Sequence, residues 1–196
     1  IFIVADKKKT TLSVLGALRL TVARKLDIIP DQFNFLWITE FPFFEYNEET
    51  GNYDAMHHPF TSPLDECIPY LDSEPEKVFA DAYDLVLNGV ELSSGSIRIT
   101  DPELQKHMFN ALGLSDEEAE QKFGFLTGAF KYGAPPHGGM GIGLDRLIMQ
   151  LLKADSLRDV IAFPKVQNAS EPMTECPSRV DNLQLDELGI GIIEEK

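Results

Sequence analysis

Gly138, Gly139, Gly141 and Gly143 crowd into one short stretch that runs straight into Leu144-Asp145-Arg146-Leu147-Ile148-Met149-Gln150-Leu151-Leu152, an amphipathic helix pattern. Glycine lets a backbone lie close against a flat or anionic ligand, because no Cβ stands in the way. A helix start then offers unpaired N–H groups and the positive end of a macrodipole. Arg146 falls in that first turn, where a cation opposes the dipole, and Asp145 offsets part of the conflict. A bound polyphosphate would use the amides and the guanidinium together, so the pattern points to a nucleoside triphosphate site. Taken alone, the same residues also fit a glycine-rich turn before a core helix with an arginine on its surface.

A chain of 196 residues, 43% hydrophobic with 13 phenylalanines, suits one medium domain, or one and a half small ones, with a real core. Its net charge of −15 argues against a broad nucleic-acid surface, which needs clustered Lys and Arg. Much of the acid is local, in Glu45 to Glu49, Asp72 to Glu76, Asp116 to Glu120 and Glu194 with Glu195, and reads as solvated faces. No run approaches the length of a membrane span. Ile1-Phe2-Ile3-Val4 meets Asp6 and Lys7-Lys8-Lys9 too soon for a signal peptide. The expectation is a cytoplasmic protein with no membrane association. The chain lacks an initial Met and begins mid-pattern, as a piece of a longer protein would. Cys67 and Cys176 lie far apart without a CxxC partner, and read as free thiols in a reducing compartment.

Along the chain, residues 1–5 read as a strand and Thr10 to Leu26 as a helix. Residues 27–32 make a linker, which sets a boundary near residue 30. From Phe33 the texture turns aromatic and β-prone as far as Phe41, where Pro42 marks the end. Tyr46 to Tyr53 looks like an acidic turn around Thr50-Gly51. A second β-rich block covers Asp81 to Thr100, with Asn88-Gly89 as either a hairpin turn or a bend. Asp101 and Pro102 supply an N-cap and a first helical position for a helix to about Leu112. Ser115-Asp116-Glu117-Glu118 is a capping box opening another helix that carries Phe123, Leu126 and Phe130. Residues 162–182 look irregular.

Arg98, in Ser96-Ile97-Arg98-Ile99, lies on a strand face beside small residues, well placed to fork onto a carboxylate. Glu91 lies an odd number of residues earlier, so an unbroken strand would send the two to opposite faces. A bulge or turn at Ser93-Ser94-Gly95 would bring them to one face, where a carboxylate can hold Mg²⁺ together with phosphates. A surface Glu and Arg on a half-exposed strand fit the same residues. Met56-His57-His58-Pro59-Phe60 places two imidazoles in or beside a loop. Adjacent histidines point apart, so they suit hydrogen bonds to a polar substrate, or no function at all, better than one shared metal. No Walker, HExxH, GxSxG or strand–GxGxxG–helix pattern occurs, so a nucleotide site here is of another kind.

Phe35-Leu36-Trp37, Phe41-Pro42-Phe43-Phe44-Glu45, Met56-His57-His58-Pro59-Phe60-Thr61-Ser62-Pro63, Tyr83-Asp84-Leu85-Val86-Leu87-Asn88-Gly89 and Gly141 to Arg146 resemble, in order, the C-terminal part of the bacterial-type aspartyl-tRNA synthetases. The last segment is similar to motif 3 of the class II enzymes. The resemblance spans essentially the whole chain. It implies an α+β fold: a partial antiparallel sheet of the class II catalytic core flanked by helices, with a remnant of an inserted domain. Residues 1–29 would be the tail of that insertion and 30–196 the C-terminal part of the catalytic domain. The implied reaction joins aspartate and ATP to aspartyl-adenylate and transfers the aspartyl group to tRNA(Asp). The resemblance puts His57 on the aspartate or the adenylate, with His58 as its support or an alternative contact to the aspartate, and Arg98 on the aspartate side-chain carboxylate. It lines the ATP site with Gly143, Leu144, Asp145 and Arg146, with Arg146 neutralising the γ-phosphate and Glu91 binding ATP through Mg²⁺. Arg98 and Arg146 would carry the catalytic electrostatics. It implies a homodimeric parent whose dimer contact lies largely outside this chain. Motif 1, motif 2 with its α-phosphate arginine, and the anticodon-binding barrel have no counterpart here, so the chain alone is expected to be inactive. Ser93-Ser94-Gly95 departs from the glycine run frequent in the family, and the two hydroxymethyl groups would crowd a ligand. Two other readings share these residues: an ammonia-dependent asparagine synthetase-like enzyme, and a non-catalytic ligand-binding module.

Overall fold

A computed structural model of the protein describes residues 1–193; the acidic pair Glu194 and Glu195 lies outside the described residues. The chain divides into two compact units between Asn34 and Phe35, slightly later than the boundary expected near residue 30.

The first unit is built on one helix, α1 (Lys8–Lys25), two residues longer at its start than the apolar pattern suggests. Arg24 and Lys25 in its last turn complement the negative end of its dipole. It buries no residue, and Leu12, Leu15 and Leu20 are exposed. The strand expected over residues 1–5 does not form. A strand needs a ladder partner for its N–H and C=O groups, and the unit contains no other strand.

The second unit holds a four-stranded antiparallel sheet. Strand β1 (Phe35–Pro42) carries the aromatic run. A small hairpin follows, β2 (Phe44–Asn47) with β3 (Asn52–Ala55), turning at Gly51 with φ +71. Strand β4 (Phe79–Leu87) pairs with β1 on one side and with β5 (Val90–Ile97) on the other. Asn88 (φ 50) and Gly89 (φ 84) join β4 to β5, and positive φ at both centres is the two-residue hairpin turn that matches strand twist. Helices α2 (Pro102–Ala111) and α3 (Asp116–Phe130) start where their caps indicate. Asp101 Oδ1 accepts from the N–H groups of Glu103 and Leu104 at 2.7 and 3.2 Å, and the Ser115–Glu118 box is reciprocal. The glycine run is not a loop: Gly138–Ile142 forms edge strand β6 on β5, and α4 (Leu144–Leu152) follows at once. Residues 162–181 are irregular, and α5 (Asn182–Leu188) takes up the last residue of the stretch expected to be so.

The core gathers Phe43, Phe44, Leu71, Val78, Ile99 and Met108, all at or below 5% exposure. Phe60 packs edge-on against Phe109 of α2 and Phe123 of α3, at ring separations of 5.8 and 5.2 Å. The loop bearing His57 and His58 is thereby anchored to both helices. Gln105, 2% exposed, adds a hydrogen bond of 2.8 Å to the Pro59 carbonyl. The sheet edges are open: Phe35 and Trp37 of β1 are 58% and 55% exposed, and Ile142 of β6 is exposed. Cys67 is buried, Cys176 exposed, and both are free thiols. Among the described residues, no helix is long and apolar enough to cross a membrane.

Candidate active site

Partners directly opposite in an antiparallel ladder share a face of the sheet. Ala82 stands opposite Ser96, and Asp84 opposite Ser94, and all four line one cavity of about 340 Å³. Between Leu85↔Ser93 and Val86↔Glu91 the register slips by one, leaving Leu92 as an extra residue on β5. Val86 alternates with Asp84, so the slip turns Glu91 to the cavity face. Arg98, two residues beyond Ser96, also reaches that face and lines the cavity. The break in alternation required for Glu91 and Arg98 is therefore present, at Leu92 and not within Ser93-Ser94-Gly95. Ordinary alternation separates the two serines. Ser94 is on the cavity face, whereas Ser93 is buried on the other, its Oγ without a partner. Of this pair, only the Ser94 hydroxymethyl group lines the cavity.

On β6, Gly139 and Gly141 oppose Ser96 and Ser94, so they share that same face. A Cβ added at either would meet nothing within 4 Å, and neither has a positive φ. Glycine is not demanded there by packing or backbone conformation; it leaves the sheet bare beside the cavity. Gly95 and Gly138 are different. A Cβ on Gly95 would collide with the Gly139 carbonyl and stand 2.8 Å from the Tyr83 ring, and on Gly138 it would stand 2.9 Å from the Ser96 carbonyl.

His57 and His58 both line the cavity with Arg98. The His57 ring sits edge-on to Phe41 and Phe43, each at 5.8 Å, beside the Pro42 carbonyl. Burial lowers its pKa below the ordinary 6.5, against smaller upward effects of the Pro42 carbonyl and Asp84. His58 stacks on Phe60 at 5.1 Å and accepts a long hydrogen bond of 3.4 Å at Nδ1 from the Phe60 N–H. Its pKa is also lowered, first by burial and then by the Arg98 guanidinium. Both imidazoles are neutral near pH 7, and Arg98 supplies the fixed positive charge.

Glu91 and Arg146 meet each other. Arg146 Nη1 donates to the Glu91 carboxylate at 3.1 Å and to the Glu91 carbonyl at 2.9 Å. Gly143 is the N-cap of α4, but its N–H donates to the Leu92 carbonyl at 2.7 Å and is not open to a ligand. Leu144 and Asp145 are exposed in the first turn. The described residues contain no cluster of three or more His, Cys, Asp or Glu side chains suited to a metal. Glu91 offers one carboxylate, and Mg²⁺ commonly uses one or two carboxylates together with phosphates and waters. Asp84, Phe41 and Thr61 are cavity residues that the sequence reading did not single out. Asp84 had a signal, being an acid between Ala82 and Val86 in strand alternation.

An antiparallel sheet with a glycine-floored face, an arginine in its cavity and a helix delivering a second arginine defines a class II aminoacyl-tRNA synthetase core. The family model of class II tRNA synthetases (D, K and N) matches residues 13–167, and the chain belongs to this family. An aspartate–tRNA ligase of Ruminiclostridium cellulolyticum is 61% identical over 98% of this chain and 32% of its own length. An aspartate–tRNA(Asp/Asn) ligase of Lachnoclostridium phytofermentans is 55% identical over 98% of the chain and 32% of its length. The chain thus spans about a third of the length of these curated relatives. The structure of the aspartyl-tRNA synthetase from Entamoeba histolytica covers 86% of this chain and 28% of its own, with a TM-score of 0.54 and 24% identity, a likeness of fold.

Proposed function

We propose that the chain is the adenylate-forming part of an aspartate–tRNA ligase, and that the cavity around Arg98 takes the side-chain carboxylate of aspartate. The observation that carries this is Arg98 lining a cavity with two neutral imidazoles, beside the small residues Ala82, Ser94 and Ser96 of the sheet. A planar guanidinium pairs with a carboxylate through two parallel hydrogen bonds and so discriminates it from an amide. Aspartate held there would present an α-carboxylate oxygen to the α-phosphorus of ATP, forming the acyl-phosphate bond as pyrophosphate leaves. A terminal ribose hydroxyl of tRNA(Asp) then takes the aspartyl group as an ester, and AMP leaves.

Arg146 is suited to the γ-phosphate, and Glu91 to Mg²⁺ shared with ATP, with Gly143, Leu144 and Asp145 lining that end. Mg²⁺ supplies charge neutralisation on the phosphates when bound. Releasing Glu91 and Arg146 from each other is the local change that ligand binding requires. The resemblance further supports a cytoplasmic, homodimeric parent and assigns residues 1–29 to the tail of an inserted domain. Because an α-phosphate arginine has no counterpart here, the chain alone should show little ATP–pyrophosphate exchange with aspartate.

Calorimetry with a non-hydrolysable aspartyl-adenylate analogue tests the reading. Arg98→Ala should lose on the order of 2–5 kcal/mol of binding, as for truncating a buried charged pair. Equal affinity of the two proteins would remove Arg98 from the site.

A further inference from the structure

We infer that Glu40 is a positioning residue for His57, acting through the three residues that follow it. Glu40 is a non-glycine residue at φ 58, the left-handed region that side chains disfavour. It lies where the β1–β4 register slips between Thr39↔Tyr83 and Phe41↔Ala80, so one β1 residue faces two on β4. Ile38 stands opposite Asp84 on the cavity face. Strict alternation would send Glu40 to that face and Phe41 away from it, yet Phe41 lines the cavity. The left-handed residue is what reverses the alternation.

The reversal builds the seat of the ring. Phe41 and Phe43 flank the imidazole edge-on at 5.8 Å each, and the Pro42 carbonyl between them lies beside it. Phe43 is fully buried, its N–H bonded to the Val78 carbonyl at 2.8 Å and its own carbonyl accepting from Met56 N–H at 3.0 Å. The seat and the residue before His57 are therefore tied to one strand end. A ring N–H turned to the Pro42 carbonyl would hold one neutral tautomer and leave the other nitrogen with a lone pair. The functional meaning of this device rests on the proposed aspartate cavity; the geometry does not.

The test uses histidine-¹⁵N-labelled chain, with the His57 signals assigned through His57→Gln, at a pH well above 6.5. The wild-type ring should show one protonated and one bare nitrogen. Glu40→Gly, which tolerates positive φ, should retain that signature, and Glu40→Val, β-branched and averse to it, should average the two nitrogens. Near-ultraviolet circular dichroism of Trp37 reports whether each variant is folded. If Glu40→Val unfolds, Phe41→Leu is read instead and should also average the tautomers. A folded Glu40→Val or Phe41→Leu protein with an unchanged single tautomer overturns the inference. Aspartate affinity should fall at least about tenfold in Glu40→Val and change less than about threefold in Glu40→Gly. Failure of the wild-type chain to bind aspartate would sink the cavity assignment, while the tautomer result would still decide the role of Glu40.

Discussion

Arg146 reaches across 55 residues of sequence to Glu91 and holds both its carbonyl and its carboxylate through a single nitrogen, Nη1. The helix that brings Arg146 starts where Gly143 donates to the Leu92 carbonyl, so the bulge residue of β5 is also the anchor of α4. One irregularity in one strand thus aims the carboxylate and docks the arginine that meets it.

Both members of that pair are about half exposed, with side chains at 45% and 50%. Exposed pairs contribute roughly 0–1 kcal/mol. Arg146→Ala should therefore shift urea unfolding by less than about 1 kcal/mol while lowering ATP affinity tenfold or more. A large loss of stability in urea titrations would make the arginine a structural residue.

Stability should fall as the solution is acidified through the histidine range. His57 and His58 have folded pKa values below the ordinary 6.5, so the unfolded chain binds more protons there. Their contribution is present above 6.5 and is lost as pH drops through the folded values. Glu118 and Glu171 are lowered from 4.5 by hydrogen bonds from Ser115 and Thr174 respectively, so their contribution is lost only below that value. Urea midpoints measured from about pH 7.5 to about pH 5 should decline in the wild type and less in His57→Phe. Parallel curves would place the titration elsewhere.

The strand glycines should separate into two kinds. Gly141→Ala should keep the fold within about 0.5–1 kcal/mol, because its Cβ meets no protein atom, yet weaken ATP or adenylate binding. Gly95→Ala should destabilise by about 1–3 kcal/mol or more through its clash with the Gly139 carbonyl and Tyr83. Thermal melts beside ligand titrations distinguish them; matching losses of stability would erase the idea of a bare floor.

Strand β1 offers an open edge and an uncharged run, Phe35 to Thr39, with aromatic residues exposed. Such edges template pairing with another strand. The chain should self-associate with rising concentration, and Thr39→Lys should weaken that association at least about tenfold. Sedimentation velocity showing a wild-type monomer throughout would contradict this.

Local signals were readable in the sequence because their physics is local. Asp101 with Pro102, Ser115 with Glu118, and Asn88-Gly89 each act within a few residues, and each stands where expected. The grouping of His57, His58 and Arg98 came from resemblance, since their meeting depends on strands far apart in sequence. What stayed hidden depends on cross-strand register. Gly138 to Ile142 pairs with β5 although glycine is a poor strand former, and Glu40 reverses β1 without any motif to announce it. Residues 1–5 erred the other way, with strand-like composition but no strand to pair with.

The order of pairing along the sheet has a kinetic side. Strands β4 and β5 close through a two-residue turn, whereas β6 must return across the two helices to pair Gly141 with Ser94. Long loops slow such contacts, so β6 is expected to dock late in folding. The floor beside the cavity would then be among the last features to assemble and the first to open. A nucleotide resting on it would bind only the closed sheet, and would act as a brake on the chain's unfolding.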